Sequence, residues 1–137
     1  MLPRIFLVLG HQTRGQMVPA WPGGGRVDRP AVVDGQWVAW RVVGSNHREI
    51  ARSAGVFGDA AAAQEAIAVV RTGIERATAS TEPVRGSWAW QLSIDGTPVA
   101  VSSRLYQRPR DCTDSLETAL AGIKVAQLRD TIPRLRR

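Results

Sequence analysis

The stretch GSWAWQLSIDGTPVAVSS, residues 86–103, decides the fold because two apolar runs flank a turn dipeptide. Apolar residues occupy every second position from Trp88 to Ile94, which is the period of a β-strand with one buried face. The dipeptide Asp95-Gly96 favours a type I′ turn, since that turn needs a positive φ at both central residues. The stretch therefore predicts a β-hairpin.

The turn also predicts which residues of the hairpin lie opposite each other. We expect Leu92 to face Val99 and Trp90 to face Val101, all on one side of the sheet. This register places Trp90 in the interior of the protein. A short further strand is expected at residues 105–106.

The same pattern occurs a second time, about fifty residues earlier in the chain. The earlier copy, GQWVAWRVVGSNHREIARSAGVFG, begins at Gly35. Its extra residue near Trp37 predicts a β-bulge, and GSNH at residues 44–47 predicts a longer loop in place of the tight turn. The matched pairs are Trp40 with Trp90, Val42 with Leu92, Ala51 with Ala100, Ser53 with Ser102, and Phe57 with Tyr106.

Each copy runs into an Ala-rich stretch that begins with a helix-capping signal. Asp59 is expected to cap the first helix and Asp114 the second, with Glu117 at the capping-box position. Pro133 is expected to end the second helix. Apolar residues on one helical face are Ala63, Ile67, Val70, Ile74 and Ala77 in the first helix, and Leu116, Leu120 and Ile123 in the second.

These elements predict a unit of strand, hairpin, strand, short strand and helix that is used twice. One unit has an apolar sheet face and an apolar helix stripe to bury, and two units side by side would bury both. We expect a flexible N-terminal arm over residues 1–34, a first repeat over 35–80, a second repeat over 81–132 and a basic tail over 133–137. Residues 35–132 would form one pseudo-symmetric domain.

The expected arm is rich in Gly, Pro and Arg and has no lasting periodicity. Its apolar run, Ile5 to Leu9, could add a short strand. The triple glycine at residues 23–25 lacks the Lys and Ser/Thr of a phosphate-binding P-loop, so it predicts a linker. Met17 is an alternative translation start, which would leave residues 1–16 out of the protein.

Charge and cysteine content limit the classes of function. The net charge of +6 favours acidic partners such as nucleic acid, anionic membranes or acidic proteins. Yet Lys124 is the sole lysine among 18 basic residues, a bias better explained by genome-wide composition than by a ligand. The single cysteine excludes an intramolecular disulfide and a zinc cluster within one chain.

Because the run from Ile5 to Leu9 is too short for a signal peptide or a membrane span, we predict a cytoplasmic protein with no membrane partner.

The matched motifs resemble those of the YegP-like family, small bacterial and archaeal proteins built from a short repeated domain of unknown function. The shared elements are a Trp-x-aliphatic strand, an Asn/Asp-Gly turn, an aliphatic-Ala-x-Ser strand, an aromatic residue, and a helix with a Gly-Ile or Ala-Ile step. They correspond here to Trp90-Gln91-Leu92, Asp95-Gly96, Val99-Ala100-Val101-Ser102, Tyr106 and Gly122-Ile123, and to Trp40-Arg41-Val42, Ile50-Ala51-Arg52-Ser53, Phe57 and Ala66-Ile67.

The resemblance covers roughly residues 35 to 130 and implies an α+β domain. In such a domain two ββ(β)α repeats share one antiparallel sheet, with the helices packed on one face. The resemblance implies no activity, no cofactor and no catalytic residue. The sequence departs from the family pattern at Asn46-His47, where glycine is expected, and in the insertion QRPRDCTD at 107–114. Both departures concern loop geometry and not the fold.

The residues predict no catalytic, metal-binding or cofactor-binding site. His11 and His47 are not spaced as ligands and are expected at the surface. Cys112 is expected in a partly exposed loop just before the second helix, where the helix dipole could activate its thiol. The hydroxyl groups of Ser53 and Ser102 are expected to satisfy backbone groups at strand ends.

We therefore expect a non-enzymatic tandem-repeat module that binds another macromolecule, as a monomer with pseudo-dimeric repeats that could dimerise further. The alternative is a nucleic-acid-binding protein that uses arginines and an exposed tryptophan. Trp40 and Trp90 are expected in the core, while the side on which Trp37 lies is left open. The candidate nucleic-acid contacts are Arg41, Arg48, Arg52, Trp37, Arg134, Arg136 and Arg137.

Overall fold

Two helices pack on a seven-stranded sheet in the computed structural model of the chain, which describes residues 2–17 and 34–128. A 3-10 turn at Ile74–Arg76 follows the first helix. The strands are β1 (Arg4–Gln12), β2 (Gly35–Val43), β3 (Glu49–Ser53), β4 (Thr78–Val84), β5 (Ser87–Ile94), β6 (Thr97–Ser102) and β7 (Gln127–Leu128), and the helices are α1 (Ala60–Gly73) and α2 (Pro109–Val125).

The strands lie in the order β4-β5-β6-β3-β2-β1-β7. The first six are joined by antiparallel pairs, whereas β7 runs parallel to β1, so the expectation of a purely antiparallel sheet holds only for β1 to β6. At the centre, β3 pairs with β6 through Arg52 opposite Val101 and Ser53 opposite Ala100. The α+β class and the packing of both helices on one sheet are as predicted.

The same order of elements occurs on both sides of this central pair. We call residues 4–73, with β1, β2, β3 and α1, the first half, and residues 78–125, with β4, β5, β6 and α2, the second half. Each half has a β-bulge at the same place, because Ile50 has no direct partner on β2 and Val99 has none on β5. The strand register therefore defines matched positions in the two halves.

The third strand of each half precedes the hairpin instead of following it. Residues 105–106, where a short strand was predicted, contribute only an isolated bridge between Tyr106 and Trp88. The strand that was missed in the second half is β4, which crosses the predicted repeat boundary at residues 80 and 81. Its counterpart in the first half is β1.

The predicted flexible arm needs correction for its first part. Residues 4–12 form the nine-residue strand β1, and the side chains of Ile5 and Leu7 are each only 1% exposed. A chain that started at Met17 would lack this strand. Residues 18–33 of the predicted arm and all of the predicted tail at 133–137 lie outside the described residues.

The predicted hairpin forms, but its register differs by one residue. Leu92 lies opposite Ala100 and not Val99, and Gln91 lies opposite Val101, because the bulge at Val99 shifts the pairing beyond the turn. Asp95 and Gly96 adopt φ angles of 51° and 81° at the turn, as the dipeptide predicts. In the first half the bulge lies at Ile50 and not near Trp37.

One apolar core lies between the sheet and the helices. Trp40 and Trp90 belong to it, at 2% and 0% exposure, which confirms the prediction that both indole rings are internal. Burying such rings is the largest apolar contribution that single side chains can make. The other buried members of the cluster are Ile5, Leu7, Val38, Val42, Ala51, Ala63, Ile67, Val70, Ile74, Leu92, Ala100, Cys112, Leu116, Ala119, Ile123 and Ala126.

The starts of the two helices follow different rules. Asp59 caps α1 as predicted, since its side chain accepts a hydrogen bond from the backbone N–H of Ala62 at 2.8 Å. The prediction that Asp114 caps α2 is wrong, because α2 begins five residues earlier with Pro109 in its first turn. Cys112 therefore lies inside α2 and is fully buried, and it is not a loop cysteine.

Candidate functional site

The sheet face opposite the helices, which we call the helix-free face, carries most of the charged side chains of the strands. Residues that are direct partners on neighbouring strands point to the same face of a sheet. Phe6 on β1 pairs with Arg41 on β2, and Arg41 pairs with Arg52 on β3. These three side chains therefore form one row, which Val101, Gln91 and Ser80 continue across β6, β5 and β4.

Two arginines of this row share one carboxylate. Arg41 and Arg52 lie directly opposite each other, an arrangement that is unfavourable for two like charges without a counter-ion. Glu49 supplies it: its Oε1 accepts from Arg41 Nη1 at 3.3 Å and from Arg52 Nη2 at 3.2 Å, and its Oε2 accepts from Arg52 Nε at 2.5 Å. The side chains are 31%, 17% and 20% exposed for Arg41, Arg52 and Glu49, respectively.

A third arginine and an aromatic ring complete the group. The guanidinium carbons of Arg4 and Arg41 lie 5.4 and 5.6 Å from the centroid of the Phe6 ring, within the range of cation–π attraction. Arg4 Nη2 also lies 2.9 Å from His47 Nδ1, which must accept the hydrogen bond because a guanidinium only donates. We call Arg4, Phe6, Arg41, His47, Glu49 and Arg52 the basic cluster.

The basic cluster has no counterpart in the second half. Three guanidinium groups against one carboxylate give it a formal charge of +2 with His47 neutral. At the matched positions of the second half the side chains are uncharged. They are Thr78 for Arg4, Ser80 for Phe6, Gln91 for Arg41, Gly96 for His47, Pro98 for Glu49 and Val101 for Arg52. The fold therefore forms at these positions without charged residues.

His47 occupies a backbone position that favours glycine. Its φ of 65° lies in the left-handed region, and Gly96 at the matched position has φ of 81°. The sequence comparison singled out this departure from the family pattern as a change of loop geometry. In the structure the imidazole contributes a contact to Arg4 that glycine could not make.

The structure brings together only part of the predicted nucleic-acid contacts. Arg41 and Arg52 are neighbours in the basic cluster, and Arg48 is exposed in the loop before β3. Trp37, whose side the sequence left open, also lies on the helix-free face, but it is only 1% exposed and its ring is covered. Arg134, Arg136 and Arg137 lie outside the described residues.

The burial of Trp37 depends on a glycine in the neighbouring strand. Gly10 is the direct partner of Trp37, and a Cβ at Gly10 would lie 2.1 Å from the indole ring. The ring also donates from Nε1 to Gln12 Oε1 at 3.3 Å. The close approach of backbone and ring is therefore possible only with glycine at this position.

Sequence reasoning missed Arg4, Phe6 and Glu49 as members of the site. Arg4 and Phe6 lay in the segment that was taken as an arm, although they alternate with the apolar residues Ile5 and Leu7 in the period of a strand. That alternation was the signal that could have placed them on the face opposite the core. Glu49 gave no such signal, since its role follows only from the pairing of β2 with β3.

Several side-chain polar atoms near this face are buried without a hydrogen-bond partner. They include Nε of Arg4, Nε of Arg41 and Oε1 of Gln91, all on the helix-free face, and Oγ of Ser103, directly after β6. Buried polar atoms are nearly always satisfied in folded proteins, so each such atom requires an explanation, and a bound ligand or water is one.

The remaining candidates have structural roles. Ser53 and Ser102 are fully buried and accept hydrogen bonds from the backbone N–H groups of Trp40 and Trp90 at 3.2 and 3.3 Å, which confirms the prediction for both serines. His11 is exposed on β1. Within residues 2–17 and 34–128, no group of three or more His, Cys, Asp or Glu side chains could hold a metal ion.

An apolar crevice lies between the sheet and the helices. It is lined by apolar side chains and by Arg71, and it leaves no room for a water molecule. In the part of the chain that the structure describes, neither helix is long and apolar enough to cross a lipid bilayer.

Comparisons with known proteins give the fold a place among solved structures. No protein-family model matches the chain, and no curated protein matches it. The NMR structure of a UPF0339 protein from Shewanella oneidensis is similar with a TM-score of 0.59 and 12% identity, over 91% of this chain and 89% of that one. The NMR structure of yegP from E. coli, a protein of unknown function, is similar with a TM-score of 0.60 and 15% identity, over 96% of each chain. The chain therefore has the α+β fold of the YegP-like proteins, as its sequence motifs predicted.

Proposed function

We propose that the protein is a non-enzymatic binding module made of two tandem repeats, and that the basic cluster on the helix-free face is its binding surface for an anionic macromolecule. The observation that supports this proposal is the difference between the halves at matched positions. Arg4, Phe6, Arg41 and Arg52 stand where the second half has uncharged residues. Since the sheet forms without these charges in one half, their presence in the other half favours a role in recognition.

The physical chemistry of the cluster supports an anionic partner. Clustered guanidinium groups with partly desolvated surroundings attract carboxylates and phosphates more strongly than dispersed surface charges do. Glu49 neutralises one of the three guanidinium charges, so the cluster keeps a positive field toward its surroundings. The planar donors of Arg4 and Arg41 are suited to the paired oxygens of such groups.

The tandem-repeat interpretation is supported by matched bulges and matched serines in the two halves. We propose that the two repeats act as one pseudo-dimeric monomer, since β3 and β6 already join them in a single sheet. We further propose a cytoplasmic location, which the single buried cysteine supports.

Nucleic acid is a second candidate for the anionic macromolecule. It is supported by the adjacent Arg41 and Arg52 and by the exposed Arg48 in the following loop. Arginine rows contact phosphates in many nucleic-acid complexes. The burial of Trp37 removes the stacking partner that this hypothesis had assigned.

The proposal is tested by replacing cluster residues with those of the second half. We expect the double variant Arg41→Gln and Arg52→Val to bind heparin, a generic polyanion, at least ~10-fold more weakly in isothermal titration at physiological salt, because two charge-assisted contacts are lost. The control Arg110→Gln removes an exposed arginine on α2, outside the cluster, and should bind like the parent protein. Equal losses in the double variant and in the control would overturn the proposal, as would a parent protein that does not bind heparin.

A further inference from the structure

We propose that the ligand of the helix-free face is an extended acidic peptide whose carboxylate binds at Arg4 and Arg41 and whose amide groups reach Gln91. This inference rests on the proposed function and names the class of partner.

The first half supplies unpartnered donors. Nε of Arg4 and Nε of Arg41 are buried and have no hydrogen-bond partner. Both guanidinium groups already lie against the ring of Phe6, so their planes are held in place before a ligand binds. Two fixed planar donors recognise the two oxygens of a carboxylate with little loss of conformational freedom.

The second half supplies an unpartnered acceptor on the same row. Gln91 Oε1 is buried without a partner, and Gln91 Nε2 donates to Ser93 Oγ at 3.2 Å, which holds the side chain against β5. An amide oxygen accepts hydrogen bonds, so its ligand must bring an N–H or O–H donor. A carboxylate alone would satisfy Arg4 and Arg41 and leave this oxygen unpaired.

The spacing of the two sites fits an extended peptide. Arg41 on β2 and Gln91 on β5 are separated by β3 and β6, which is three inter-strand steps, or roughly 14 Å. An extended chain advances about 3.3 Å per residue, so an acidic side chain and a backbone N–H about four residues apart would reach both sites.

The aromatic side chains disfavour a single-stranded nucleic acid. Such ligands bind by stacking bases on exposed rings along a positive groove. Here Trp37 is 1% exposed, and the ring of Phe6 is already in contact range of two guanidinium groups. The positive row also ends after β3, because Val101 and Gln91 follow Arg52 on this face. A run of phosphates would lose its partners at the middle of the sheet.

The test compares a peptide and an oligonucleotide on the full chain by NMR. The probes are an octapeptide of alternating Glu and Gly with blocked ends, the same peptide with Gln for Glu, and oligo(dT) of eight nucleotides. We expect the acidic peptide to shift the side-chain Nε–Hε resonances of Arg4 and Arg41 and the amide resonances of Gln91. Arg41→Gln should weaken its binding about 10-fold, and Gln91→Leu should weaken it a few-fold. The control Arg110→Gln should bind it like the parent protein.

Each other outcome is decisive in a different way. If oligo(dT) binds the cluster more tightly than the acidic peptide, the peptide assignment is wrong and the proposed binding surface stands. If the Gln-Gly peptide binds equally well, carboxylate recognition is wrong. If Gln91→Leu binds the acidic peptide as the parent does, the proposed contact between the peptide amide groups and Gln91 is wrong. If none of the probes perturbs the cluster, both the inference and the proposed function fall.

Discussion

The two halves surround their core tryptophans with different chemistry. In the second half, Ser115 Oγ accepts hydrogen bonds from Trp90 Nε1 at 3.0 Å and from Tyr106 OH at 2.7 Å. In the first half Phe57 is matched to Tyr106. The buried faces of the two helices align Ile67 with Leu116, and not with Ile123 as in the sequence motifs, so Ala66 is matched to Ser115. The buried Nε1 of Trp40 has no hydrogen-bond partner. Both rings are nevertheless fully packed in the same cluster.

This difference teaches that apolar shape and not polar pairing specifies the core. One half keeps an unsatisfied indole N–H that costs stability, and the architecture is unchanged. On the helix-free face the two halves have the same strand pairing, but only the first half carries the charged side chains of the basic cluster. We conclude that the helix side of the sheet carries the fold and that the opposite side of the first half carries the specialisation.

The largest effect should come from removing either core ring. We expect Trp40→Ala and Trp90→Ala each to lower the free energy of unfolding by about 3–5 kcal/mol, because a large buried ring is replaced by a cavity. Urea unfolding followed by circular dichroism measures this loss. If only one of the two variants lost less than about 1 kcal/mol of unfolding free energy, the two tryptophans would not contribute equally to the core.

The polar pairing around Trp90 can be removed, and its equivalent can be built around Trp40. We expect Ser115→Ala to cost about 1–3 kcal/mol, since it leaves the Trp90 N–H and the Tyr106 hydroxyl without their partner. The reciprocal Ala66→Ser should stabilise the protein by up to about 1 kcal/mol by pairing Trp40 Nε1. The comparison fails if both changes move the midpoint of urea unfolding in the same direction.

Adding one methyl group at Gly10 on β1 should destabilise the protein more than removing two methyl groups from Val84 on β4. We expect Gly10→Ala to cost about 1–3 kcal/mol, because its Cβ would collide with the Trp37 ring. Val84 is at the matched position of the second half, opposite Ser87, and Val84→Ala should cost less than about 1 kcal/mol. Thermal unfolding of both variants in parallel decides this, and equal shifts in Tm would contradict the close packing at Trp37.

The smallest effect concerns an exposed ion pair between the 3-10 turn after α1 and helix α2. Glu75, after α1, pairs with Lys124 of α2, and the hydrogen bond and the charge of Lys124 lower the pKa of Glu75. A carboxyl group with a lowered pKa stabilises the fold above its unfolded pKa and loses that contribution as pH falls through the folded pKa. We expect Lys124→Gln to raise the pKa of Glu75 in an NMR titration. An unchanged pKa would show that the pair does not form in solution.

Sequence reasoning found the elements with strong local signals. The Asp95-Gly96 turn, the Asp59 cap and the internal position of Trp90 each depend on a few neighbouring residues, and each was confirmed. It missed β4, TASTEPV, because small polar residues and a proline hide the alternation of a strand. It also placed the start of α2 too late, because Pro109 and not Asp114 marks its first turn.

The candidate site was harder to predict because it is assembled by sheet pairing. Arg41 and Arg52 are eleven positions apart in the chain but become direct partners through β2 and β3. The bulge at Ile50 decides that Glu49 and not its neighbour faces them. No local pattern carries this information, since bulges follow from tertiary packing.

The most direct test of the account combines folding and binding in one variant. Phe6→Ser, Arg41→Gln and Arg52→Val together give the helix-free face of the first half the residues that the second half has at the same positions. We predict that isothermal titration shows loss of binding to the Glu-Gly octapeptide while urea unfolding changes by less than about 1 kcal/mol. A variant that fails to fold, or one that folds and still binds like the parent, would contradict the separation of fold and recognition between the two sides of the sheet.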